Sequence, residues 1–359
     1  MLSLVLALSS GVTPARALVI VPSWDSTILN DPNAATIQAT INTAIQFYEA
    51  RFSDPITVTI QFEEITTAGL EGHSSWWYYN ISYLQFLAAL KNDATTTNDT
   101  VALSLLPNSA NNPVTGTSII RVKTANLRAI GITGLTSGLP GGIDGIIGLH
   151  VSQMNLTRSS INPSKYDLLS VAEHEIDEVL GLASSLDSSA GDPLPEDLFR
   201  YTSAGSRTFT TSGDNAYFSI DGTTDLARFN QSSSGDYGDW WTAGAHTPQV
   251  QDAFLSPGAI PNPRVELIAL DVIGYNLLPP PQPVITDITL SGQNLILAAS
   301  NGLASGTYHL LTTTNLLSPL LQWTPIATNT LSVNGNFSLT LTNAVNPGVA
   351  NRFFVLQLQ

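Results

Sequence analysis

Alternating and periodic apolar positions divide the first three quarters of the chain into helices and strands. A spacing of three and four residues predicts helices, and a spacing of two predicts half-buried strands. The helical stretches are Ala34 to Phe52, Ser82 to Leu90, Tyr166 to Leu182 and Arg264 to Ile273. The strand-like stretches are Ile56 to Phe62, Val101 to Leu106, Asp144 to Val151 and Ala216 to Ile220. This mixture predicts an α+β domain.

The pattern changes after a proline-rich segment, Leu278 to Pro283, which neither a helix nor a central strand can contain. Beyond it only strand-like runs follow, with a hairpin signal at Asn334-Gly335. These runs are Ile288 to Ala298, Tyr308 to Thr312, Phe337 to Leu341 and Arg352 to Leu358. We therefore predict a domain over 18–277, a linker over 278–283 and a small antiparallel β-sandwich over 284–359.

Residues 1–17 resemble an export signal, with an apolar run from Leu2 to Leu8 and the small-x-small pattern Ala15-Arg16-Ala17. The alternative is a short buried strand or helix, since the α-amino group supplies the only positive charge before Arg16. Export predicts a secreted or cell-surface protein, and the absence of cysteine excludes disulfides and thiolate sites. No later stretch is apolar for the ~20 residues of a membrane span.

A net charge of −15 and a pI near 4.4 disfavour nucleic acid as a partner. Only 11% of the residues are charged, and the apolar content of 43% is sufficient for hydrophobic cores. We expect a monomer whose partner is a protein or peptide substrate.

One segment concentrates the candidate chemistry: His174-Glu175-Ile176-Asp177-Glu178, within the predicted helix Tyr166 to Leu182. His174 and Glu178 are four residues apart, so they project from the same helix face one turn apart. Such a pair can bind zinc, and the intervening Glu175 can act as general base to a water molecule. Zinc suits this chemistry because it lowers the pKa of bound water to about 7 and polarises a carbonyl group.

The segment Ala172 to Leu182 is similar to the active-site helix of metzincin-like proteases, whose pattern is His-Glu-x-x-His-x-x-Gly-x-x-His/Asp. It is more similar to a group of secreted bacterial metalloproteases, often associated with PEP-CTERM sorting signals, that carry Glu at the second ligand position. Asp197 to Tyr201, Tyr217 to Gly222 and Ala269 to Tyr275 also resemble that group. The resemblance implies a zincin fold: a twisted sheet, a backing helix, the active-site helix and a C-terminal helix.

The chain departs from the metzincin pattern at three points. Glu178 replaces histidine, Ser184 stands where the third ligand belongs, and no methionine other than Met1 and Met154 is available for a Met-turn. For the third ligand we favour Asp187, with Asp192 and His246 as alternatives. A set of one imidazole and two carboxylates would bind zinc but shift preference toward Mn²⁺ or Fe²⁺.

The sequence thus predicts a secreted metal-dependent endopeptidase in which His174, Glu178 and Asp187 bind the metal and Glu175 is the general base. Two alternatives remain at this stage. His174 and its acidic neighbours could form an exposed acidic face, or the protein could be a non-catalytic zincin-fold surface or binding protein with a weak or absent metal site. A third hypothesis is calcium binding by acids in a glycine-rich segment, namely Asp221, Asp225, Asp236 and Asp239.

Overall fold

The structure, a computed structural model, describes residues 18–187, 191–211, 215–242, 247–261, 263–280, 283–302, 307–331, 335–342, 344 and 351–358. The proposed export signal over 1–17 and the candidate ligand His246 lie outside these residues. The contacts along the chain separate two compact units at the boundary between Leu278 and Pro279, inside the predicted linker.

The first unit contains seven helices in its described part: α1 (Ser26–Leu29), α2 (Ala34–Glu49), α3 (Tyr83–Asp93), α4 (Thr97–Ser104), α5 (Thr124–Ala129), α6 (Leu168–Leu180) and α7 (Val265–Val272). Its longer strands are β1 (Val19–Trp24), β2 (Thr57–Glu64), β3 (Gly72–Trp76), β4 (Tyr78–Ser82), β5 (Ile119–Lys123) and β6 (Gly145–Leu149). The remaining strands are short: β7 (Met154–Asn155), β8 (Tyr166–Asp167), β9 (Arg200–Ser203), β10 (Ser206–Arg207), β11 (Tyr217–Phe218) and β12 (Ala227–Arg228). The unit is mixed α and β, as the periodicity predicts.

Four strands form the main sheet in the order β1-β2-β6-β3. β1, β2 and β6 are parallel, whereas β3 pairs antiparallel with β6 and has a partner on one side only in the described part of the chain. The strand predicted over Ile56 to Phe62 is confirmed, because Val58, Ile60 and Phe62 are fully buried on one face of β2. β3 is therefore an edge strand of this sheet.

Helices α2 and α6 pack against each other in the core of the first unit. The helix predicted over Ala34 to Phe52 is confirmed as α2, and the apolar residues at helical spacing on one of its faces are all buried: Ile37, Ile41, Ala44, Ile45 and Tyr48. The Tyr48 hydroxyl donates a hydrogen bond to the carbonyl of Glu173 on α6, 3.0 Å away. This contact joins the two helices beside the candidate site.

The strand predicted over Val101 to Leu106 is wrong, because the chain forms helix α4 there. The Thr96 hydroxyl accepts from the Asp99 backbone N–H, and the Asp99 carboxylate accepts from the Thr96 N–H, at 3.0 and 2.8 Å. This reciprocal capping box starts a helix, and it outweighs the preference of Val101 for strands. Strands β3, β4 and β5 are absent from the sequence predictions.

The second unit contains six described strands: β13 (Val284–Ser291), β14 (Asn294–Ser300), β15 (Thr307–Thr313), β16 (Thr324–Thr330), β17 (Phe337–Leu341) and β18 (Phe353–Leu358). They form two antiparallel sheets, β13-β14-β17 and β16-β15-β18. Residues from both sheets meet in one core: Leu295, Leu297, Ala299, Tyr308, Leu310, Leu331 and Leu356.

In the described residues of the whole chain, no helix has the length and apolarity needed to cross a membrane.

Candidate metal centre

Helix α6 carries the central motif and begins with a strong cap. The Asp167 carboxylate accepts a hydrogen bond from the Ser170 backbone N–H at 3.0 Å, which satisfies one of the free donors of the first turn. Arg158 forms a 2.6 Å ion pair with the same carboxylate. The start of α6 is therefore held in place by local sequence and by a charge pair.

The acidic residues of α6 do not form an exposed face. Glu173, Glu175, Asp177 and Glu178 are each at most 7% exposed, alongside the apolar residues of the same helix. A buried ionised carboxylate is costly unless a positive charge or hydrogen-bond donors compensate for it. The hypothesis of a solvated acidic face is therefore wrong, and the burial has to be explained by what the carboxylates contact.

His174 and Glu178 come together with a third residue, Asp239. Each of the three side chains offers one ligand atom, and these atoms all lie within 4.8 Å of one another. Nε2 of His174 is 3.7 Å from Oδ1 of Asp239, close to the ~3.3–3.6 Å that separates two ligands of a tetrahedral zinc with bonds of about 2.0–2.2 Å. This buried group could hold a metal ion.

The imidazole of His174 is oriented for ligation. Its Nδ1 lies 2.9 Å from the carbonyl oxygen of Val250, which can only accept a hydrogen bond. In the neutral imidazole the proton is therefore on Nδ1, and Nε2, 3.7 Å from Oδ1 of Asp239, carries the lone pair that a metal ion would accept. A backbone carbonyl commonly fixes the tautomer of metal-binding histidines in this manner.

Glu178 is held from two sides. The Ser74 hydroxyl, on edge strand β3, donates to its carboxylate at 2.5 Å. The Lys123 ammonium donates to the backbone carbonyls of Glu178 and Leu182 at 2.5 and 2.9 Å, and its Nζ lies 3.9 Å from the ring centre of Trp76. Lys123 thus satisfies carbonyls at the C-terminal end of α6, where a positive charge also complements the helix dipole. Burial lowers the pKa of Lys123 to about 8.

Asp239 reaches the group through a loop that approaches the chain beyond α6. A Cβ at Gly238 would lie 2.7 Å from the backbone of Ala183, so only glycine permits this approach. The next residue, Trp240, donates from its indole nitrogen to Glu266 at 3.1 Å and is almost fully buried. Gly238 and Trp240 therefore position Asp239 from either side.

Glu175 lies beside the metal group and against β3. A Cβ at Gly72 would overlap its carboxylate, so the absence of a side chain there makes room for Glu175. Within the described residues, its Oε2 is buried without a hydrogen-bond partner. Burial and the charge of Glu178 raise the pKa of Glu175 well above its usual value.

The negative charges also act on the histidine. Burial by itself would lower the pKa of His174, but the charges of Glu175 and Glu178 outweigh burial, and the pKa is raised. Burial and the charge of Glu178 likewise raise the pKa of Asp239. The group is thus an excess of buried acid around one imidazole, a balance that a divalent cation would compensate.

The structure does not bring the expected third ligand, Asp187, into this group. Its Oδ1 accepts from the Tyr237 backbone N–H at 2.9 Å, and burial raises its pKa to about 7. Asp192 accepts from the Thr117 hydroxyl at 2.8 Å, away from the group. Asp239 takes the third position, and no spacing rule in the sequence links it to the helix motif.

The acids of the suggested calcium segment are divided among different roles. Asp221 accepts hydrogen bonds from the Thr224 hydroxyl at 2.7 Å and from the backbone N–H groups of Thr224 and Thr223 at 2.7 and 2.8 Å, which closes a turn and lowers its pKa. Asp225 pairs with Arg228 at 3.3 Å. Asp239 belongs to the group on α6. The structure therefore does not gather these carboxylates into one calcium loop.

Comparison of the chain with models of known protein families, with curated proteins and with solved structures gave no match.

Proposed function

We propose that this protein is a metal-dependent peptidase of zincin type, in which His174, Glu178 and Asp239 bind the metal and Glu175 is the general base. The observation that carries the proposal is the close approach of three ligand atoms beside a buried carboxylate that has an unpartnered oxygen. A divalent ion at such a site lowers the pKa of water and polarises a carbonyl group. Glu175 would take the proton from the attacking water and pass it to the leaving amine.

The surroundings of the group supply two further arguments. The metzincin resemblance implies a sheet, a backing helix, an active-site helix and a C-terminal helix, and the main sheet, α2, α6 and α7 are candidates for these parts. In the described part of the chain, strand β3, which carries Ser74, has no strand partner on its outer side. An extended peptide can add to such an edge as a further strand. A peptide substrate is therefore favoured over other amides or esters.

One observation favours a second candidate function, in which the metal is structural. The side chains of His174 and Asp239 are only 12% and 6% exposed, so the group is nearly closed to solvent. Structural zinc sites use all ligand positions for protein groups, whereas catalytic sites keep one position open. A closed site would stabilise the first unit without hydrolysing a substrate.

The test combines metal analysis with a cleavage assay on the exported form of the chain. The wild type should contain metal near one ion per chain by mass spectrometry and should cleave casein or a peptide library. Glu175→Gln should retain the metal and lose about 10²–10⁴-fold in cleavage rate, the usual contribution of a general base. Glu63→Gln, on β2, is the matched control and should cleave as the wild type does.

The outcomes separate the candidates. A wild type that takes up no metal even after reconstitution contradicts both functions. Stoichiometric metal with no cleavage by any variant supports the structural site. Equal cleavage by Glu175→Gln and the wild type would remove Glu175 from the mechanism.

A further inference from the structure

Gln251 faces the metal group from the segment that also orients His174. Gln251 directly follows Val250, whose carbonyl accepts the hydrogen bond from the His174 ring. Gln251 itself is only 1% exposed. Its backbone N–H donates to Glu266 at 2.9 Å, and its carbonyl accepts from the Trp240 N–H at 2.7 Å. These bonds hold the backbone of Gln251 beside the metal group.

The amide of Gln251 contacts two of the three candidate ligands. Its Nε2 lies 2.9 Å from Oδ1 of Asp239 and 3.3 Å from Nε2 of His174. Because the proton of the His174 imidazole is on Nδ1, both contacted atoms are acceptors, and the amide nitrogen donates to both. Within the described residues, its Oε1 is buried without a hydrogen-bond partner.

In this orientation the amide nitrogen, which cannot bind a cation, contacts the candidate ligands. The amide oxygen, which can bind a cation, is buried without a partner among the described residues. An unpartnered buried carbonyl oxygen is unfavourable because it has lost its hydrogen bonds to water. Half a turn about the last side-chain bond exchanges the nitrogen and the oxygen of a glutamine with almost no change of shape. That rotation would put Oε1 where Nε2 now lies, 3.3 Å from Nε2 of His174 and 2.9 Å from Oδ1 of Asp239. The first distance matches the ~3.3–3.6 Å between ligands of a tetrahedral ion, and the second is shorter, so Asp239 would have to move outward by a few tenths of an ångström.

We propose that the amide oxygen of Gln251 is the fourth protein ligand of this site, next to His174, Glu178 and Asp239. The inference rests on the proposed metal centre and extends its ligand set to one imidazole, two carboxylates and one amide. Four protein ligands fill a tetrahedral shell, so the catalytic water of the proposed peptidase takes a fifth position on the ion, whereas a strictly four-coordinate ion is the structural site. The amide nitrogen bridges Asp239 and His174 when no cation is bound, and the amide turns over when a cation enters. Three oxygen donors to one nitrogen make a hard set that binds Mn²⁺ well relative to a site of three histidines.

The experiment measures the affinity of the full chain for Zn²⁺ and for Mn²⁺, each titrated alone against a competing fluorescent chelator. Gln251→Leu keeps the volume and removes the oxygen, and it should weaken binding by about 10–100-fold, at least the cost of losing a supporting group around a metal. Gln251→Asn keeps the amide but withdraws it by one methylene, and it should weaken binding similarly. Gln251→Glu restores an oxygen at the same reach and should restore affinity.

Gln249→Leu is the matched control from the same segment, because the Gln249 side chain makes no contact with the three ligands among the described hydrogen bonds. It should bind both ions as the wild type does. Circular dichroism of each apo variant checks that the fold is kept, and Gln251→Asn and Gln251→Glu carry the test if the leucine variant does not fold.

Tighter binding by Gln251→Leu would overturn the proposal, because it would mean that the amide only blocks the site. Unchanged binding by both Gln251→Leu and Gln251→Asn would also overturn it, while leaving the three-residue metal centre intact. A wild type that binds neither ion would overturn the metal centre and this ligand together, so the two failures are distinguishable.

Discussion

The two units of the chain bury different kinds of side chain. The first unit encloses carboxylates around α6, among them Glu175, Glu178 and Asp239, together with the single imidazole of His174. In the described part of the second unit, the buried side chains are apolar or aromatic except for Thr312. Both units have a hydrophobic core, but among the described residues only the first buries carboxylates and imidazoles.

This difference indicates where the chemistry is. Apolar burial stabilises a fold at about 25 cal/mol per Å² and needs no partner of specific chemistry. Burial of several carboxylates opposes folding unless a proton or a cation compensates for each charge. The second unit is explained by packing alone, whereas the acidic group of the first needs a proton or a cation to offset its charge.

The largest effect should follow from removing the imidazole. His174→Ala should reduce metal affinity by more than about 100-fold, because the loss of a direct ligand exceeds the usual 10–100-fold cost of losing a supporting residue. His309→Ala in the second unit, whose ring nitrogen pairs with the Thr328 hydroxyl at 2.8 Å, is the matched control. Metal per chain by mass spectrometry measures both; equal loss in the two variants would contradict the comparison.

A substitution in the core of the second unit should lower the stability of that unit and leave metal binding by the first unit unchanged. Leu297 is fully buried in the second unit, so Leu297→Ala should lower the free energy of unfolding of that unit by about 2–5 kcal/mol. Metal content should not change. Leu290→Ala, at a position that is 53% exposed, should change stability by less than about 0.5 kcal/mol. Calorimetry with metal analysis reports both quantities, and a loss of metal in Leu297→Ala would show that the units are coupled.

Metal itself should stabilise one unit only. A free ion concentration of about 100 times Kd should raise the free energy of unfolding of the first unit by about 2.7 kcal/mol. The transition of the second unit should stay at the same temperature, and a chelator should reverse the shift. Differential scanning calorimetry with and without Zn²⁺ or Mn²⁺ measures this. A shift of both transitions would mean that the ion acts outside the α6 group.

The smallest effect concerns pH and a second set of acids in the first unit. Burial raises the pKa of Asp93 to about 6 and that of Asp271 to about 6, from ordinary values of 3.8. Between pH 3.8 and about pH 6 the folded state therefore binds more protons than the unfolded state. The free energy of unfolding should consequently fall as the pH rises from about 4 to about 6. Below pH 4 the stabilisation is fully present, and above pH 6 it is lost.

Asp93→Asn removes this ionisation and keeps an oxygen that can accept from the Asn276 amide, which lies 3.2 Å from Asp93. Its gain in unfolding free energy over the wild type should grow between pH 4 and pH 6 in urea titrations. Asp225→Asn, the same exchange at an exposed loop position, is the matched control. If the difference in unfolding free energy between Asp93→Asn and the wild type is the same at every pH, ionisation of Asp93 is not linked to folding.

Local sequence patterns were sufficient to predict the helices and the strand that surround the candidate metal centre. The stripe on α2, the alternation in β2 and the spacing of His174, Glu175 and Glu178 on α6 are all readable in sequence, because each depends on residues a few positions apart. The helix α4 was missed because a capping box outweighed a β-branched residue. Strand β3 escaped prediction because its polar residues Ser74 and Ser75 show no apolar alternation.

By itself, then, the sequence determined two units, their secondary-structure classes and a helix with a candidate ligand pair. Only the tertiary structure decided that the carboxylates of α6 are buried, that Asp239 rather than Asp187 completes the group, and that Gln251 faces it. The physical reason is the length scale of each effect. Helix periodicity is set by bonds between near neighbours, whereas the third ligand arrives through a loop whose path depends on Gly238 passing the backbone of Ala183.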